Sequence, residues 1–241
     1  MQGLLATYKR QQFIPRWYSV LINPFFIIRY HLYQRLARMA IQFKGGKLLD
    51  FGCGAKPYRS LFDVNEYIGV DIENPGHPHL TEEVDVFYDG KTIPFEANTF
   101  DYLLCSEVME HVFEPDAILN ELHRVLKPGA KGIFTVPFVW NEHELPYDYG
   151  RYSAGGFAHL LNKHGFEVCE VVRTTHFTQV LAQLAILYWY QLLETRNKYL
   201  NILVCILFVS PFMLLSLLLT QLLPRKRDLY HNLVVMVEKK T

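Results

Sequence analysis

Leu48-Leu49-Asp50-Phe51-Gly52-Cys53-Gly54-Ala55-Lys56-Pro57 is the stretch whose reading decides the fold. An apolar run ends in a carboxylate, Asp50, and enters a bend that two glycines leave nearly free of side chains. Such a bend lets backbone approach a ligand closely, and a helix N-terminus behind it favours negative charge. A second apolar run, Tyr67-Ile68-Gly69-Val70, ends at Asp71, where a carboxylate can grip two ribose hydroxyls. These residues together describe a site for a nucleotide-type cofactor. The dinucleotide pattern asks for a third glycine, but the chain has Pro57 there, a residue suited to the first turn of a helix. The choice of cofactor therefore rests on residues further along.

Those residues are Asp89-Gly90-Lys91-Thr92-Ile93-Pro94, Phe100-Asp101, Ser106-Glu107, Glu110-His111, Glu121, Arg124, Lys127-Pro128-Gly129 and the apolar run Gly132–Pro137. In this order and spacing the chain resembles class I S-adenosylmethionine-dependent methyltransferases, over residues 46–172 with a last strand at 232–238. The resemblance implies that Asp50 and the backbone of Gly52 and Gly54 cradle the methionine end of S-adenosyl-L-methionine. Asp71 would hold the ribose, Asp89 with Gly90 would meet the adenine, and Ser106 and Glu107 would lie beneath the methionyl group. The departure from the family pattern is Lys56-Pro57, where many relatives carry further glycine. Glu110-His111 opens a helix in relatives that act on different substrates, which implies positioning rather than catalysis. Lys127-Pro128-Gly129 is first of all a turn signal.

Strands alternate with helices from residue 47 onward, at 47–51, 66–71, 83–88, 100–105, 131–137 and 166–173, with helices at 56–62, 114–127 and 153–164. This alternation predicts an α/β fold of Rossmann-like type, a mostly parallel sheet with helices on both faces. Residues 1–45 read as a basic, aromatic helical segment broken near Pro24. Residues 46–176 and 228–241 read as the cofactor-binding domain, and residues 177–227 as an apolar helical insertion.

Charge is divided along the chain. Residues 1–49 carry eight Lys or Arg and no acid, whereas residues 50–121 carry sixteen Asp or Glu against Lys56, Arg59 and Lys91. A cationic sulfonium suits the acidic half. The basic segment, interleaved with Trp17, Phe25, Phe26 and Tyr33, fits an anionic membrane surface. Nucleic acid can use such a mix, yet no nucleic-acid-binding motif accompanies it. Cys53, Cys105, Cys169 and Cys205 form no Cys-x-x-Cys pair, which favours reduced thiols. Without a secretory signal pattern, a cytoplasmic location is expected, on the inner face of the membrane. No ligand cluster with metal spacing is apparent, and methyl transfer from a sulfonium requires no metal.

Residues 199–224 contain no charge and are followed by Arg225-Lys226-Arg227. Length alone makes them a transmembrane candidate. A single crossing would put the strand at 232–238 on the wrong side of the membrane, so a monotopic hairpin is expected. Pro211 could fold the stretch, or residues 177–195 could supply a second leg despite Gln179, Gln183 and Gln191. A soluble or oligomeric helix interface and true spanning are the alternatives, and the oligomeric state is undecided.

The acceptor side should follow strand 131–137, beyond the carboxyl ends of the strands. There the chain reads Trp140-Asn141-Glu142-His143-Glu144-Leu145-Pro146-Tyr147-Asp148-Tyr149-Gly150-Arg151-Tyr152. A similar His-Glu-x-Pro-x-Asp-x-x-Arg-Tyr run occurs in a bacterial subgroup associated with surface polysaccharide or glycolipid synthesis, which this loop resembles. His143 is the candidate base for a hydroxyl, with Glu144 or Asp148 orienting it. Trp140 and Tyr147 could stack on a sugar, with Arg151 and Tyr152 completing the acceptor site. Alternatively, Asp148 and Arg151 form a structural pair that holds the loop shut. The expected activity is methylation of oxygen on a sugar or lipid-linked glycan. Methylation of a lipid-soluble small molecule and a non-catalytic membrane scaffold remain as alternatives.

Overall fold

The computed structural model describes residues 11–72 and 84–240. Seven strands form one sheet: β1 (Lys47–Phe51), β2 (Glu66–Ile72), β3 (Val86–Tyr88), β4 (Phe100–Ser106), β5 (Leu126–Pro137), β6 (Phe166–Arg173) and β7 (Asn232–Lys239), in the order β3-β2-β1-β4-β5-β7-β6. The helices are α1 (Phe26–Ala40), α2 (Pro115–Val125), α3 (Ala154–Lys163), α4 (Phe177–Leu193) and α5, which runs from Lys198 to Leu222. The Rossmann-like α/β fold is as the alternation predicts.

β1 is flanked by β2 and β4, both parallel to it, so the chain winds outward from β1 in opposite directions. This is the switch point of a doubly wound sheet, and it opens a crevice at the carboxyl ends of β1 and β4. Apolar runs occupy these central strands because both faces are covered: Leu48, Leu49, Val70, Leu103, Ile133 and Phe134 are all buried. β7 runs antiparallel to β5, in register from Lys131–Glu238 to Pro137–Asn232. That register sets Asn232 at the carboxyl end of β5.

Several local expectations are corrected. No α-helix forms at 56–62; the glycine bend runs through successive turns into a short 3-10 helix, Arg59–Leu61. Lys56 is the reason, since its φ of +47° lies outside the helical region. Lys127-Pro128-Gly129 lies within β5, where a register irregularity between Phe100 and Tyr102 absorbs it. β3 is confined to three residues, and the expected start of that strand at 83 lies outside the described residues, as do residues 1–10 of the basic segment.

The chain forms two compact units. One comprises residues 36–172 with 232–241 and contains most of the sheet; the other comprises residues 1–35 with 173–231. In the second unit, Val20, Phe26, Ile27, Ile186, Tyr190, Cys205, Val209 and Met213 make one apolar core. Gln183 is wholly buried within it, donating from Nε2 to the Pro24 carbonyl at 2.7 Å while its Oε1 accepts from the Ile28 N–H at 3.4 Å. This side chain pairs backbone groups that the first turn of α1 leaves open. Gln179 turns inward as well, 2.9 Å from His31. The outer side of α4 exposes Leu181, Tyr188, Trp189 and Leu192, with Gln191 the one of the three glutamines left outside.

Pro211 does not fold α5 back on itself. The helix widens into a π turn at Cys205–Val209, and the Ser210 hydroxyl donates to the Ile206 carbonyl at 2.8 Å. The π turn accommodates a residue that has no N–H to donate. The two legs of the hairpin are α4 and α5. Asn197 caps the start of α5 through the Tyr199 N–H, and the Phe177 N–H reaches the Lys226 carbonyl at 2.8 Å, closing the far end.

Candidate functional site

The cofactor cradle is built from backbone. Gly52 and Gly54 adopt φ of +69° and +46°, and the Gly52 N–H donates to the Val70 carbonyl at 2.8 Å. A Cβ on Gly52 would lie 2.4 Å from Val108 Cγ2, so glycine is required both for conformation and for space. Lys56 supplies the third left-handed residue that a glycine would otherwise provide. Its ammonium meets Asp85 Oδ2 at 2.6 Å, and its stem crosses β2 where Gly69 has no side chain to block it.

Asp71 stands at the end of β2 and takes the Gly54 N–H on Oδ2 and the Ile72 N–H on Oδ1, each at 2.8 Å. Two oxygens fixed by backbone keep further lone pairs for a diol. Asp50 is buried at the end of β1, where the Tyr67 hydroxyl donates to its Oδ2 at 2.6 Å. Burial pushes its pKa up to about 7, against the opposing effect of that hydrogen bond, and the charge of Asp71 adds to the rise. A cationic ligand would favour the ionised form. Asp89 is exposed and ties its own loop, accepting from the Lys91 and Thr92 N–H groups on Oδ1; these bonds lower its pKa. Gly90 beside it has nothing within 4 Å of where a Cβ would lie.

Ser106 and Glu107 end β4. The Ser106 hydroxyl lies 2.9 Å from that of Thr135, and Glu107, at φ +57°, turns back toward the sheet. Its carboxylate accepts from Thr135 Oγ1 at 2.7 Å and from Asn232 Nδ2 at 2.6 Å. Glu107 thus locks the carboxyl ends of β4 and β5 to the amino end of β7. Val108, Thr135 and Asn232 were not among the residues expected here. A polar residue opening the apolar strand Leu233–Val237 was the one available signal for Asn232.

The acceptor loop is built from side chains. Asp148, whose side chain is only 1% exposed, holds Arg151 by a two-pronged pair at 2.5 and 2.6 Å and accepts the His143 N–H at 3.0 Å. The guanidinium beside it lowers the Asp148 pKa to about 2. Arg151 also donates to the carbonyls of Gly150 and Asn141, so its fork is used within the loop. His143 Nδ1 lies 3.2 Å from Asp148 Oδ2. Burial lowers the His143 pKa, and the neighbouring His111 lowers it further. The Tyr152 hydroxyl donates to the Met109 carbonyl at 3.3 Å. Trp140 and Tyr147 are half-buried.

Glu110 and His111 sit on a 3-10 turn, Met109–His111, in place of the expected helix start. His111 Nδ1 lies 2.8 Å from the Tyr147 carbonyl, and its Nε2 lies 3.8 Å from Glu144 Oε2. The His111 and His143 rings are 4.9 Å apart. Ligand-type atoms of Glu110, His111 and His143 all lie within 4.8 Å of one another. Residues 110 and 143 are too far apart in sequence for any spacing rule to have joined them.

A glycine bend at the switch point, edged by Asp50 and Asp71, defines a nucleotide-cofactor-binding α/β protein. Residues 27–171, more than half of the chain, match the family model of a methyltransferase domain, and the chain belongs to that family. Its fold is that of the class I S-adenosylmethionine-dependent methyltransferases. The residues present fit that cofactor: Gly52 and Gly54 put no side chain into the bend, and Asp71, fixed by backbone N–H groups, presents oxygens suited to a ribose.

The chain is 29% identical over 180 residues to an uncharacterized methyltransferase of Mycobacteroides abscessus, covering 68% of each protein. It is 28% identical over 148 residues to a demethylmenaquinone methyltransferase of Anoxybacillus flavithermus, covering 53% of this chain and 61% of that protein. A ubiquinone biosynthesis O-methyltransferase of Coxiella burnetii is 26% identical over 149 residues, 58% of this chain and 62% of that one. The chain thus spans about three-fifths of the length of these last two relatives. A methyltransferase of Mesorhizobium loti shares the fold at a TM-score of 0.54 and 14% identity, over 87% of this chain and 98% of that one. So does phosphoethanolamine N-methyltransferase 2 of Haemonchus contortus in complex with S-adenosyl-L-methionine, at a TM-score of 0.52 and 19% identity, over 86% and 53%.

Proposed function

We propose that this chain methylates a hydroxyl oxygen on a membrane-borne acceptor, a sugar or lipid-linked glycan, at the inner face of the cytoplasmic membrane. The observation that carries this reading is the His143–Asp148 contact on a loop dense in aromatic and acidic groups. The bound cofactor supplies a methyl group on a sulfonium, whose leaving group is neutralised as it departs. The protein must align the acceptor oxygen and take its proton. Asp148 Oδ2 faces His143 Nδ1, which leaves Nε2 to take that proton. The ion pair with Arg151 keeps Asp148 charged and the loop shut. Trp140 and Tyr147 are the rings we assign to a sugar face. Asp50, Gly52, Gly54, Asp71, Asp89, Gly90 and Ser106 hold the cofactor, and Glu107 positions the strand ends beneath it.

Membrane association is supported by the hairpin of α4 and α5. Phe208, Phe212, Leu215, Leu218 and Leu222 are exposed on α5, and the exposed cations Arg225, Lys226 and Arg227 follow its end. An apolar surface edged by cations suits the boundary of an anionic bilayer. A second reading, methylation of a quinone precursor, is favoured by the names of two relatives.

Membrane extract incubated with methyl-labelled cofactor tests the acceptor. Label in lipid-linked glycan is expected, label in the quinone fraction favours the second reading, and label confined to protein rejects both. His143→Ala should slow turnover at unchanged cofactor affinity. For the membrane, Phe208→Glu with Leu215→Glu should abolish co-sedimentation with phosphatidylglycerol vesicles. Undiminished co-sedimentation would refute attachment through α5.

A further inference from the structure

We propose that Glu110, His111 and His143 form a binding site for one divalent transition-metal ion, of zinc type, on the acceptor side of the cofactor cradle. The inference rests on the hydroxyl-acceptor reading given above and deepens it.

Glu110 is the first observation. Its side chain is completely buried, and neither carboxylate oxygen has a hydrogen-bond partner. A carboxylate with no donor in a buried site is costly, because the water it gave up is not replaced by any protein donor. Elsewhere at this end of the sheet the buried carboxylates are satisfied: Asp50 by Tyr67, Glu107 by Thr135 and Asn232, and Asp148 by Arg151. Glu110 is the exception, and its Oε1 lies 4.0 Å from His111 Nε2.

The two imidazoles supply the second observation. In each ring Nδ1 is already engaged, by the Tyr147 carbonyl for His111 and, for His143, by the Asn141 carbonyl at 3.3 Å with Asp148 Oδ2 also 3.2 Å away. A nitrogen held by a carbonyl or carboxylate fixes the ring and leaves Nε2 as the ligand atom, the usual outer-shell arrangement around a metal-bound histidine. Two imidazoles and one carboxylate within 4.8 Å of one another make a donor set suited to zinc and its neighbours. Magnesium and calcium prefer oxygen alone. Three protein ligands leave a position open, where an acceptor hydroxyl would be polarised and its proton made easier to remove. With the ion bound, His143 Nε2 is a ligand in place of its role as base, the polarised acceptor hydroxyl gives its proton to solvent, and Asp148 positions the His143 ring.

The test uses the full chain, stripped with a chelator and titrated with zinc chloride by calorimetry, and separately with cobalt(II) followed by visible absorption. One ion per chain is expected, with a Kd below micromolar and a cobalt spectrum of low coordination number. His143→Ala and His111→Ala should each weaken zinc binding at least 100-fold and remove the cobalt bands, while S-adenosylhomocysteine affinity stays within threefold. Because Glu110 is buried, Glu110→Gln is read only for zinc affinity alongside thermal melting. No stoichiometric uptake, or equal uptake by His143→Ala, overturns the site. Full-rate methylation of a hydroxyl acceptor by stripped protein overturns it while leaving the proposed function standing. Zinc bound as expected, with no hydroxyl acceptor labelled, retains the site and rejects the function.

Discussion

The cofactor cradle and the acceptor loop lie at the same end of one sheet, yet they are held by different means. Around Gly52 and Asp71 the contacts are backbone to backbone or backbone to carboxylate: Gly52 to Val70, Gly54 to Asp71, Gly69 to Asp85. In the loop from Trp140 to Tyr152 they start from side chains, centred on Asp148 with Arg151 and His143, and reach both other side chains and loop carbonyls. A backbone cradle requires certain residues chiefly because others do not fit, so it can persist while acceptors change. A side-chain cluster depends on the identity of each member, which is why the proposed acceptor choice is assigned to it. Glu110, buried between these two kinds of construction, is left unsatisfied by both.

The comparison breaks most severely at Gly52. Gly52→Val forces a Cβ to within 2.4 Å of Val108 and a branched residue into a left-handed φ. Titration with S-adenosylhomocysteine should show at least a 1000-fold loss, about 4 kcal/mol of binding. Retained affinity would mean that the bend does not contact the cofactor.

Next in size, Arg151→Ala leaves the Asp148 carboxylate buried without its main partner. Removing one member of such a pair costs about 3 kcal/mol, which denaturant unfolding should register. Cofactor affinity should change less than threefold, because the cradle shares no bond with this pair. Loss of both together would show the two constructions to be coupled.

The smallest effect is a pH dependence. Asp50 titrates near 7 in the folded protein against an ordinary value of 3.8. The folded state therefore keeps this proton to higher pH. The group's contribution to stability is fully present below pH 3.8 and is lost as pH rises through 7. A cationic cofactor pulls the other way, favouring the ionised form. Affinity for S-adenosylmethionine should rise about tenfold from pH 6 to pH 8, or 1.4 kcal/mol, and Asp50→Asn should flatten both slopes. An unchanged slope in that variant would assign the titration to another group.

Parts of this molecule were legible before any coordinates. The bend at Gly52 and Gly54, the carboxylates closing β1 and β2, and the alternation of apolar runs with helices depend on local backbone chemistry, which a linear sequence records. The helix expected at 56–62 failed because Lys56 takes a left-handed conformation, with its ammonium paired to Asp85 across β2. The glutamines of α4 looked like obstacles to an apolar surface, yet Gln183 is directed inward by the open backbone groups of α1. Pro211 looked like a fold point, but a π turn absorbed it.

By itself the sequence determined the class of protein: the α/β order, the glycine bend between two carboxylates and the apolar length of α5. The tertiary structure alone decided which side chains meet. It brought residue 110 beside residue 143, turned Glu107 onto Asn232 across the sheet, and spent the Arg151 fork inside its own loop. The physical reason is range. Backbone conformation and hydrophobic period act over a few residues and leave a linear trace, whereas a shared proton or a buried charge is settled between groups that only the folded chain makes neighbours.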